Sequence, residues 1–244
     1  MDARPPARLV VAFALAALLF ASFVALGVWQ LQRRVWKLDL IERVERRLQA
    51  VPVAAPPRTQ WPQINSADAY TRLCLDGLFL HERETLVQAV TERGPGFWVM
   101  TPLKQSSGEI VLINRGFVSP EFRAMDARKA GQLVGTQHVC GLLRLSEPRG
   151  GFLRHNDPAQ DRWYSRDIAA IAVTQQLPAT EVAPYFVDAD AAVNPGGWPI
   201  GGLTVIRFHN SHLIYALTWF ALALMTLAGA VLVVRHDRRI QDRV

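Results

Sequence analysis

Residues 9–28 read LVVAFALAALLFASFVALGV, and residues 213–234 read LIYALTWFALALMTLAGAVLVV. Neither stretch contains a charged residue or a proline. A helix rises 1.5 Å per residue, so about 20 apolar residues cross a hydrocarbon core of roughly 30 Å. A helix buried in a soluble core is the alternative, but buried helices of this length without any charge are rare. We therefore expect two transmembrane helices in a lipid bilayer, at residues 9–29 and 211–234.

The basic residues around these segments predict their orientation. Cytoplasmic flanks of membrane spans carry an excess of Lys and Arg, and residues 235–244 contain four arginines, so we expect this tail in the cytoplasm. Two spans then place residues 1–8 on the same side and the central domain outside the cytoplasm. A basic run on the outer side of the first span opposes this orientation, but long domains translocate largely regardless of charge. Its members are Arg33, Arg34, Lys37, Arg43, Arg46 and Arg47.

The first apolar segment has the features of a retained anchor rather than of a cleaved signal peptide. It is longer than the usual signal-peptide apolar region of about 7–15 residues, and no A-x-A-like cleavage site follows it. The residues before it are too few for a mitochondrial transit peptide. We expect a multi-pass protein of a bacterial cell membrane with both termini in the cytoplasm.

The residue composition between the two spans changes twice. Residues 30–50 are expected to continue the helix, because apolar residues recur there at intervals of three or four, and the Pro-rich residues 51–57 end it as a stiff linker. Residues 58–208 alternate short runs of β-branched and aromatic residues with Gly and Pro clusters, which is typical of strands. The expected fold class is therefore α+β, with two transmembrane helices flanking an extracytoplasmic, mainly antiparallel β domain that can curl toward a barrel.

Seven runs in this region have strand character, one short helix is indicated at Arg166–Gln176, and two small-residue segments are expected to be turns. The strand candidates are Arg72–Leu80, Thr85–Thr91, Phe97–Leu103, Glu109–Phe117, Gln137–Leu145, Tyr185–Asp188 and Leu203–Phe208. The expected turns are Gly94-Pro95-Gly96 and Ser106-Ser107-Gly108.

Charge and cysteine content limit the possible partners and redox sites. The formal net charge is +6, but much of the excess lies beside the spans, where basic residues meet anionic lipid. Because the chain carries no nucleic-acid-binding motif, we expect no nucleic-acid partner. Cys74 and Cys140 are not a CxxC pair, so a thioredoxin-like or copper-relay site lacks its usual spacing. An outer compartment permits a disulfide between them, and two buried free thiols are the alternative.

His212 opens the second apolar segment and is the strongest candidate ligand. On a helix it shares a face with Tyr215, Trp219 and His209. An imidazole beside aromatic rings at an apolar boundary can ligate the iron of a metal porphyrin. The alternative is an aromatic belt of the kind that anchors many spans, with the histidine only capping the helix.

The first span also ends in aromatic and basic residues. Trp29, Arg33 and Trp36 share a helix face. They form either an aromatic belt with a snorkelling arginine or a second wall that faces His212, with Arg33 or Arg34 pairing with carboxylates of a ligand. A small-xxx-small spacing, which lets two spans pack closely, occurs at Ala17, Ala21 and Ala25.

Two further groups of polar residues lie in the β region. Gly116 indicates a bulge or a close backbone approach at the end of a strand, and its neighbour Arg115 either binds propionate groups as a fork or pairs within the fold. His155 and Asp167 suggest acid–base chemistry, but the sequence contains no nucleophile elbow, HExxH motif or phosphate loop. A helix N-cap explains Asp167, and we therefore expect a protein that is not an enzyme.

The order of these residues along the chain resembles the Surfeit locus protein 1 family of cytochrome c oxidase assembly factors. Each motif is weak alone, but the ordered set lies between two spans and covers nearly the whole chain. The family often has tryptophan where this chain has Phe117, so an aromatic ring is kept. The matching segments are Gly27-Val28-Trp29-Gln30-Leu31, Arg33, Trp36-Lys37, Leu40-Ile41, Thr101-Pro102-Leu103, Ile113-Asn114-Arg115-Gly116-Phe117, Asn156-Asp157-Pro158, Trp163-Tyr164, Asp167, His212-Leu213, Tyr215-Ala216 and Thr218-Trp219-Phe220.

The resemblance implies a membrane chaperone that aids maturation of haem-copper oxidase subunit I, alongside other oxidase assembly factors. Bacterial members are proposed to bind haem a, so the resemblance also implies haem a as a transient cofactor that is passed to subunit I. The alternative function is a structural chaperone that stabilises an oxidase assembly intermediate without binding haem. The candidate haem-binding residues are His212, Tyr215, Trp219, Arg115, Trp29 and Arg33, with His212 as the ligand of the iron.

Overall fold

The computed structural model describes residues 7–151, 153–204 and 210–241. The chain divides into two compact units: a helical unit of Met1–Arg43 with Arg207–Val244, and a sheet unit of Val44–Ile206. Three α-helices are present in the described residues: α1 (Ala7–Gln49), α2 (Ile168–Thr174) and α3 (His212–Gln241). The expected α+β class, with two long apolar helices flanking a β domain, is confirmed.

Helices α1 and α3 each contain a segment that is long and apolar enough to cross a membrane. Helix α1 continues without a break from its apolar segment into the amphipathic residues 30–49, since no proline interrupts it before Pro52. Its last residues, from Val44 onward, belong to the sheet unit. There Val44 is buried and Arg47 Nη1 donates to Ala69 O at 2.8 Å.

The two long helices pack against each other along a narrow seam. A Cβ atom added to Gly27 would lie only 2.6 Å from Cε1 of Phe220, so the two helices pack closely at this glycine. The close packing expected at Ala17, Ala21 and Ala25 is wrong: all three are exposed, and only Ala17 borders a groove between the helices. A strict step of four residues drifts by about 40° around a helix each time. Half-buried or buried seam residues instead follow mixed steps, at Ala16, Phe23, Gly27 and Gln30.

Seven strands form the sheet unit, and five of them close into a barrel. The ring runs β2–β6–β7–β5–β4 and returns to β2 through the pairs Leu78–Lys104 and Phe79–Leu103. Strand β1 adds to β2 and strand β3 adds to β4; β1–β2 and β5–β7 are parallel, and the other pairs are antiparallel. The strands are β1 (Val53–Ala54), β2 (Arg72–Phe79), β3 (Thr85–Thr91), β4 (Gly94–Lys104), β5 (Ile110–Val118), β6 (Gln137–Leu145) and β7 (Val182–Ala189).

The core has two parts because side chains alternate across a strand. On β5, Val111 and Ile113 join the interior of the barrel, to which all five ring strands contribute. Ile110 and Leu112 point the other way, into a second cluster that contains Trp163 and is covered by α2. Strand β5 is buried along its whole length, so it is the wall between the two clusters.

Most of the expected elements are present, with three differences. Gly94-Pro95-Gly96 begins strand β4 rather than forming a turn, because a Cβ at Gly96 would lie 2.3 Å from Val118 O and only glycine permits this approach. Strand β1 was not expected within the Pro-rich residues 51–57. Leu203 and Thr204 are not in a strand, and residues 205–208 of that candidate lie outside the described residues. The turn at Ser106-Ser107-Gly108 is confirmed.

The two cysteines form a disulfide that ties β2 to β6. Cys74 and Cys140 are direct partners in the antiparallel register, and their Cα atoms are 4.1 Å apart. Because the two sulfurs are bonded and the residues are only partly buried, the alternative of two buried free thiols does not hold. The bond therefore lies on the outer surface of the barrel, opposite the face that carries Leu73 and Leu75 into its interior.

Candidate functional site

His212 lies in the first turn of α3 and contacts the helix α1. Its Nδ1 is 2.7 Å from Oε1 of Gln30. An amide oxygen only accepts hydrogen bonds, so Nδ1 carries the proton and donates it, and Nε2 keeps its lone pair. Within the described part of the chain, Nε2 has no hydrogen-bond partner. This is the arrangement of a ligating histidine, whose other ring nitrogen donates to a carbonyl that holds the ring in place.

Aromatic rings continue the helix contact one turn deeper. Trp219 stacks on Phe23 of α1 with ring centroids 5.8 Å apart and an angle of 23° between the planes. Ala216 lies between His212 and Trp219 on the same face and is buried. Tyr215 is 54% exposed and so lies outside this contact. The structure thus brings His212 and Trp219 onto the seam and leaves Tyr215 at its margin.

The aromatic side chains Trp29 and Trp36 at the end of the apolar part of α1 are exposed rather than packed within the helical unit. Trp29 is 53% exposed. The guanidinium of Arg33 lies 4.0 Å from the ring centroid of Trp36, which is 47% exposed. His212 donates its hydrogen bond to Gln30 rather than to any of these three residues. His209 lies outside the described residues.

Arg115 belongs to the sheet unit, where its guanidinium is buried. Its Nη2 donates to Gly131 O, its Nη1 is 3.5 Å from His81 Nδ1, and the group lies 4.8 Å from the ring centroid of Phe79. Burial lowers the pKa of Arg115 to about 10, against the attraction of Glu84. Of the two roles considered for Arg115, pairing within the fold is therefore the one that these contacts show.

Gly116 allows the backbone of Ile200 to approach the end of β5. Its φ is +127°, and a Cβ would lie 2.1 Å from Ile200 O. Phe117 N donates to Ile200 O at 2.9 Å, and Phe117 O accepts from Ile200 N at 2.9 Å. The expected close backbone approach at Gly116 is confirmed.

Asp167 caps α2, as expected from the sequence. Its Oδ1 accepts from Ala170 N at 3.2 Å and its Oδ2 accepts from Arg149 N at 3.0 Å. His155 is exposed on the loop before it. The cap thus explains Asp167 without acid–base chemistry.

Two residues of the helical site were not among the candidates expected from the sequence. Gln30 orients His212, and Phe23 supports Trp219. Both lie on the α1 seam, three or four residues from Gly27. The glycine at the end of this apolar segment was therefore the sequence feature that could have indicated the packed face of the helix. A polar residue on the buried side of an apolar helix end is a further indication that it has a partner.

Comparison with known proteins agrees with the order of motifs along the chain. The model of the SURF1 family matches residues 17–224. Surfeit locus protein 1 of Mus musculus is 35% identical over 222 residues, which cover 84% of this chain and 70% of the mouse protein. The Homo sapiens protein of the same name is 34% identical over 218 residues, or 82% and 70% of the two chains. A SURF1-like protein of Monosiga brevicollis is 35% identical over 220 residues, or 83% and 80%.

The matched region runs from within the apolar part of α1 into α3 and includes the whole sheet unit. It therefore contains Gln30, the barrel with Arg115 and Gly116, and the His212 turn in their expected order. On this evidence the chain belongs to the SURF1 family.

Proposed function

We propose that this protein is a membrane-bound assembly factor of haem-copper oxidases, which holds haem a and assists its insertion into subunit I. Membership of the SURF1 family supports the oxidase role through the ordered motifs described above. The single observation that carries the haem proposal is the contact between His212 and Gln30. It leaves an oriented imidazole nitrogen with a free lone pair at the end of an apolar helix pair.

The residues of the helical unit divide the proposed task between them. His212 Nε2 supplies the ligand to iron, and Gln30 holds the ring and its tautomer. Trp29 and Tyr215 are exposed aromatic surfaces for a flat macrocycle. Arg33 carries a charge that can pair with a propionate. One neutral nitrogen ligand and an open surface suit a factor that must release its cargo.

Arg115 enters the proposal as a supporting residue of the sheet unit rather than as a contact to propionate. Its two terminal nitrogens are engaged by Gly131 O and by His81. We propose that it holds the segment around Gly131 and Leu133 in place, because His81 in turn donates to Leu133 O at 3.0 Å. The sheet unit then offers a rigid surface for the oxidase partners, among them subunit I and other assembly factors.

The haem proposal is tested by purifying the full-length protein from cells that make haem a. We expect a Soret band and a haem a pyridine haemochrome in the wild type, and loss of most of the bound haem in His212→Ala. Gln30→Leu should weaken retention by about 10- to 100-fold, because an unsupported ligand is less well oriented. His155→Ala, which removes an exposed histidine of the sheet unit, is the matched control and should retain haem.

Three outcomes would contradict this proposal or part of it. Equal Soret bands in the wild type and His212→Ala would refute the ligand assignment. Co-purification with subunit I but no porphyrin from haem a-producing cells would leave a structural chaperone of an oxidase intermediate. Absence of both haem and subunit I would refute the oxidase function itself.

We further propose that both termini lie in the cytoplasm of a bacterial cell and that the sheet unit lies outside its inner membrane. The arginines that follow the apolar part of α3 support this orientation, and so does the disulfide, which persists in oxidising compartments. Reporter fusions that are active on only one side of the membrane test it at each terminus. Activity of a periplasmic reporter at the C-terminus would refute the orientation.

A further inference from the structure

Two cysteines, a histidine and an aspartate share the outer face of the β2–β6 pair. Cys74 is the register partner of Cys140, and Asp76 is the register partner of His138. Residues two apart on a strand point to the same side. The disulfide and the Asp76–His138 pair are therefore neighbours on one face, although they come from segments far apart in the sequence.

The histidine of this cluster is oriented by the carboxylate and directed at a sulfur. His138 Nδ1 lies 2.7 Å from Asp76 Oδ1, and His138 Nε2 lies 3.4 Å from Cys140 Sγ. A carboxylate accepts, so Nδ1 donates and Nε2 presents its lone pair toward the sulfurs. Carboxylate–histidine–metal sites use the same arrangement of outer support and inner ligand.

We propose that reduction of the Cys74–Cys140 disulfide converts this cluster into a binding site for a thiophilic d10 metal ion, Cu⁺ or Zn²⁺. The two thiolates and His138 Nε2 are the ligands, and Asp76 positions the imidazole. Sulfur and imidazole ligands together select these ions over hard cations. The cluster differs from a CxxC motif because the β register, rather than adjacent sequence, brings the sulfurs together.

The distances suit one shared ion after a small side-chain rotation. One sulfur from each cysteine and one ring nitrogen of His138 lie within 4.8 Å of one another. Two ligands that are each about 2.0–2.3 Å from one ion are at most about 4.6 Å apart. Once the S–S bond is broken, rotation about each Cα–Cβ bond can separate the sulfurs without moving the strands, which five further register pairs hold together.

The site is also accessible to reductant and ion. The His138 side chain is 63% exposed, and both cysteines are only partly buried. His138 and Cys140 border a cavity of about 130 Å³, which leaves room for a water as a further ligand.

The chemical steps balance with a dithiol as the co-reactant. A thiolate of the dithiol attacks one sulfur of the protein disulfide, and its second thiol displaces the other. The protein gains two electrons and two protons to form two thiols, and the co-reactant leaves as its own disulfide. Binding of the ion then releases the two thiol protons to solvent, so metal affinity rises with pH.

The test uses the full-length protein in detergent, with and without prior reduction, and Cu⁺ or Zn²⁺ alone as the probe. Competition with a chromophoric chelator measures affinity, and thiolate-to-metal absorption reports the ligands. We expect about one ion per reduced chain and none bound at this site in the oxidised chain. Reduced Cys74→Ser/Cys140→Ser should lose the absorption, and His138→Ala and Asp76→Asn should each lower affinity by about 10- to 100-fold.

Controls separate the proposal from folding effects and from other histidines. His155→Ala, at an exposed position of the same unit, should bind like the wild type. Near-ultraviolet circular dichroism should show that each reduced variant keeps its fold. If His138→Ala fails this check, His138→Ser replaces it. Equal affinity in the wild type and the double cysteine variant, or no effect of any His138 substitution, would overturn the site. Because the assay needs no haem, it stands apart from the haem proposal.

Discussion

Gln30 and His212 show how one hydrogen bond can give a residue its chemical character. By its position alone, a histidine at a helix start can serve either as a cap or as a ligand. Donation from Nδ1 to Gln30 Oε1 selects the tautomer in which Nε2 can act as a ligand. Arg115 illustrates the opposite case, since its bonds inside the sheet unit occupy a group that the sequence alone left available.

At the same scale, His81 makes the stability of the sheet unit sensitive to acid. Burial lowers its pKa from the usual 6.5, and the nearby Arg115 lowers it further, while the bond to Leu133 O opposes the change. A proton added at Nδ1 would face the Arg115 guanidinium at 3.5 Å. Because the unfolded chain binds this proton more readily, the neutral imidazole contributes stability above pH 6.5, and that contribution is lost as pH falls through the lowered folded pKa.

We therefore expect the thermal midpoint of the sheet unit to fall when the full-length protein moves from about pH 7.5 to about pH 5. His81→Gln should reduce this pH dependence, whereas His155→Gln, at an exposed position, should keep it. Differential scanning fluorimetry in detergent measures the midpoints. An unchanged pH dependence in His81→Gln would show that another group titrates.

At the scale of elements, the α1–α3 pair depends on one small residue. Phe220 packs against Gly27 so closely that a Cβ there would lie 2.6 Å from its ring. Along α1, Gly27 lies between Phe23, which stacks on Trp219, and Gln30, which bonds to His212. A change of helix separation at Gly27 therefore alters the candidate site without touching its polar residues.

Gly27→Val is expected to destabilise the helix pair by about 1–3 kcal/mol, the usual cost of overpacking. It should also lower haem retention, because the separation of His212 from Gln30 increases. Gly229→Val on α3 is the matched control, since a Cβ there meets nothing within 4 Å. Thermal unfolding followed by helical circular dichroism measures both, and equal midpoints would contradict the packing argument.

At the scale of the whole molecule, closure of the barrel brings polar side chains from separate segments around one buried carboxylate. The Asp188 carboxylate on β7 accepts from Asn114 Nδ2 at 2.7 Å on β5 and from Arg144 Nη1 at 2.9 Å on β6. It also accepts from Arg166 Nη1 at 3.1 Å and from Thr204 Oγ1 at 3.0 Å. One carboxylate thus connects two neighbouring strands, the loop before α2 and the segment after the barrel.

Asp188→Ala should destabilise the sheet unit by about 3–5 kcal/mol, since it leaves two largely buried arginines without this partner. Asp126→Ala is the control. Its ion pair with Lys129 is at the surface, with side-chain exposures of 88% and 76%, and such pairs contribute about 0–1 kcal/mol. Chemical unfolding followed by tryptophan fluorescence compares them, and a loss at Asp188 no larger than at Asp126 would refute the role of this network.

Local sequence determined most of the elements of this protein. The uncharged apolar segments predicted α1 and α3. Short runs of strand-forming residues between turn residues predicted β3 and β6 at their observed limits, because these preferences depend on near neighbours only. Asp167 could likewise be identified as a cap from the residues beside it.

Tertiary structure alone decided which distant residues meet. The barrel closes through two register pairs of β2 and β4, and the same register places Cys74 against Cys140 and Asp76 against His138. Helix packing selected Gln30 rather than Trp29 as the partner of His212. These pairings depend on how whole surfaces fit and on which buried polar groups find acceptors, and neither property is encoded by the spacing of residues along one segment.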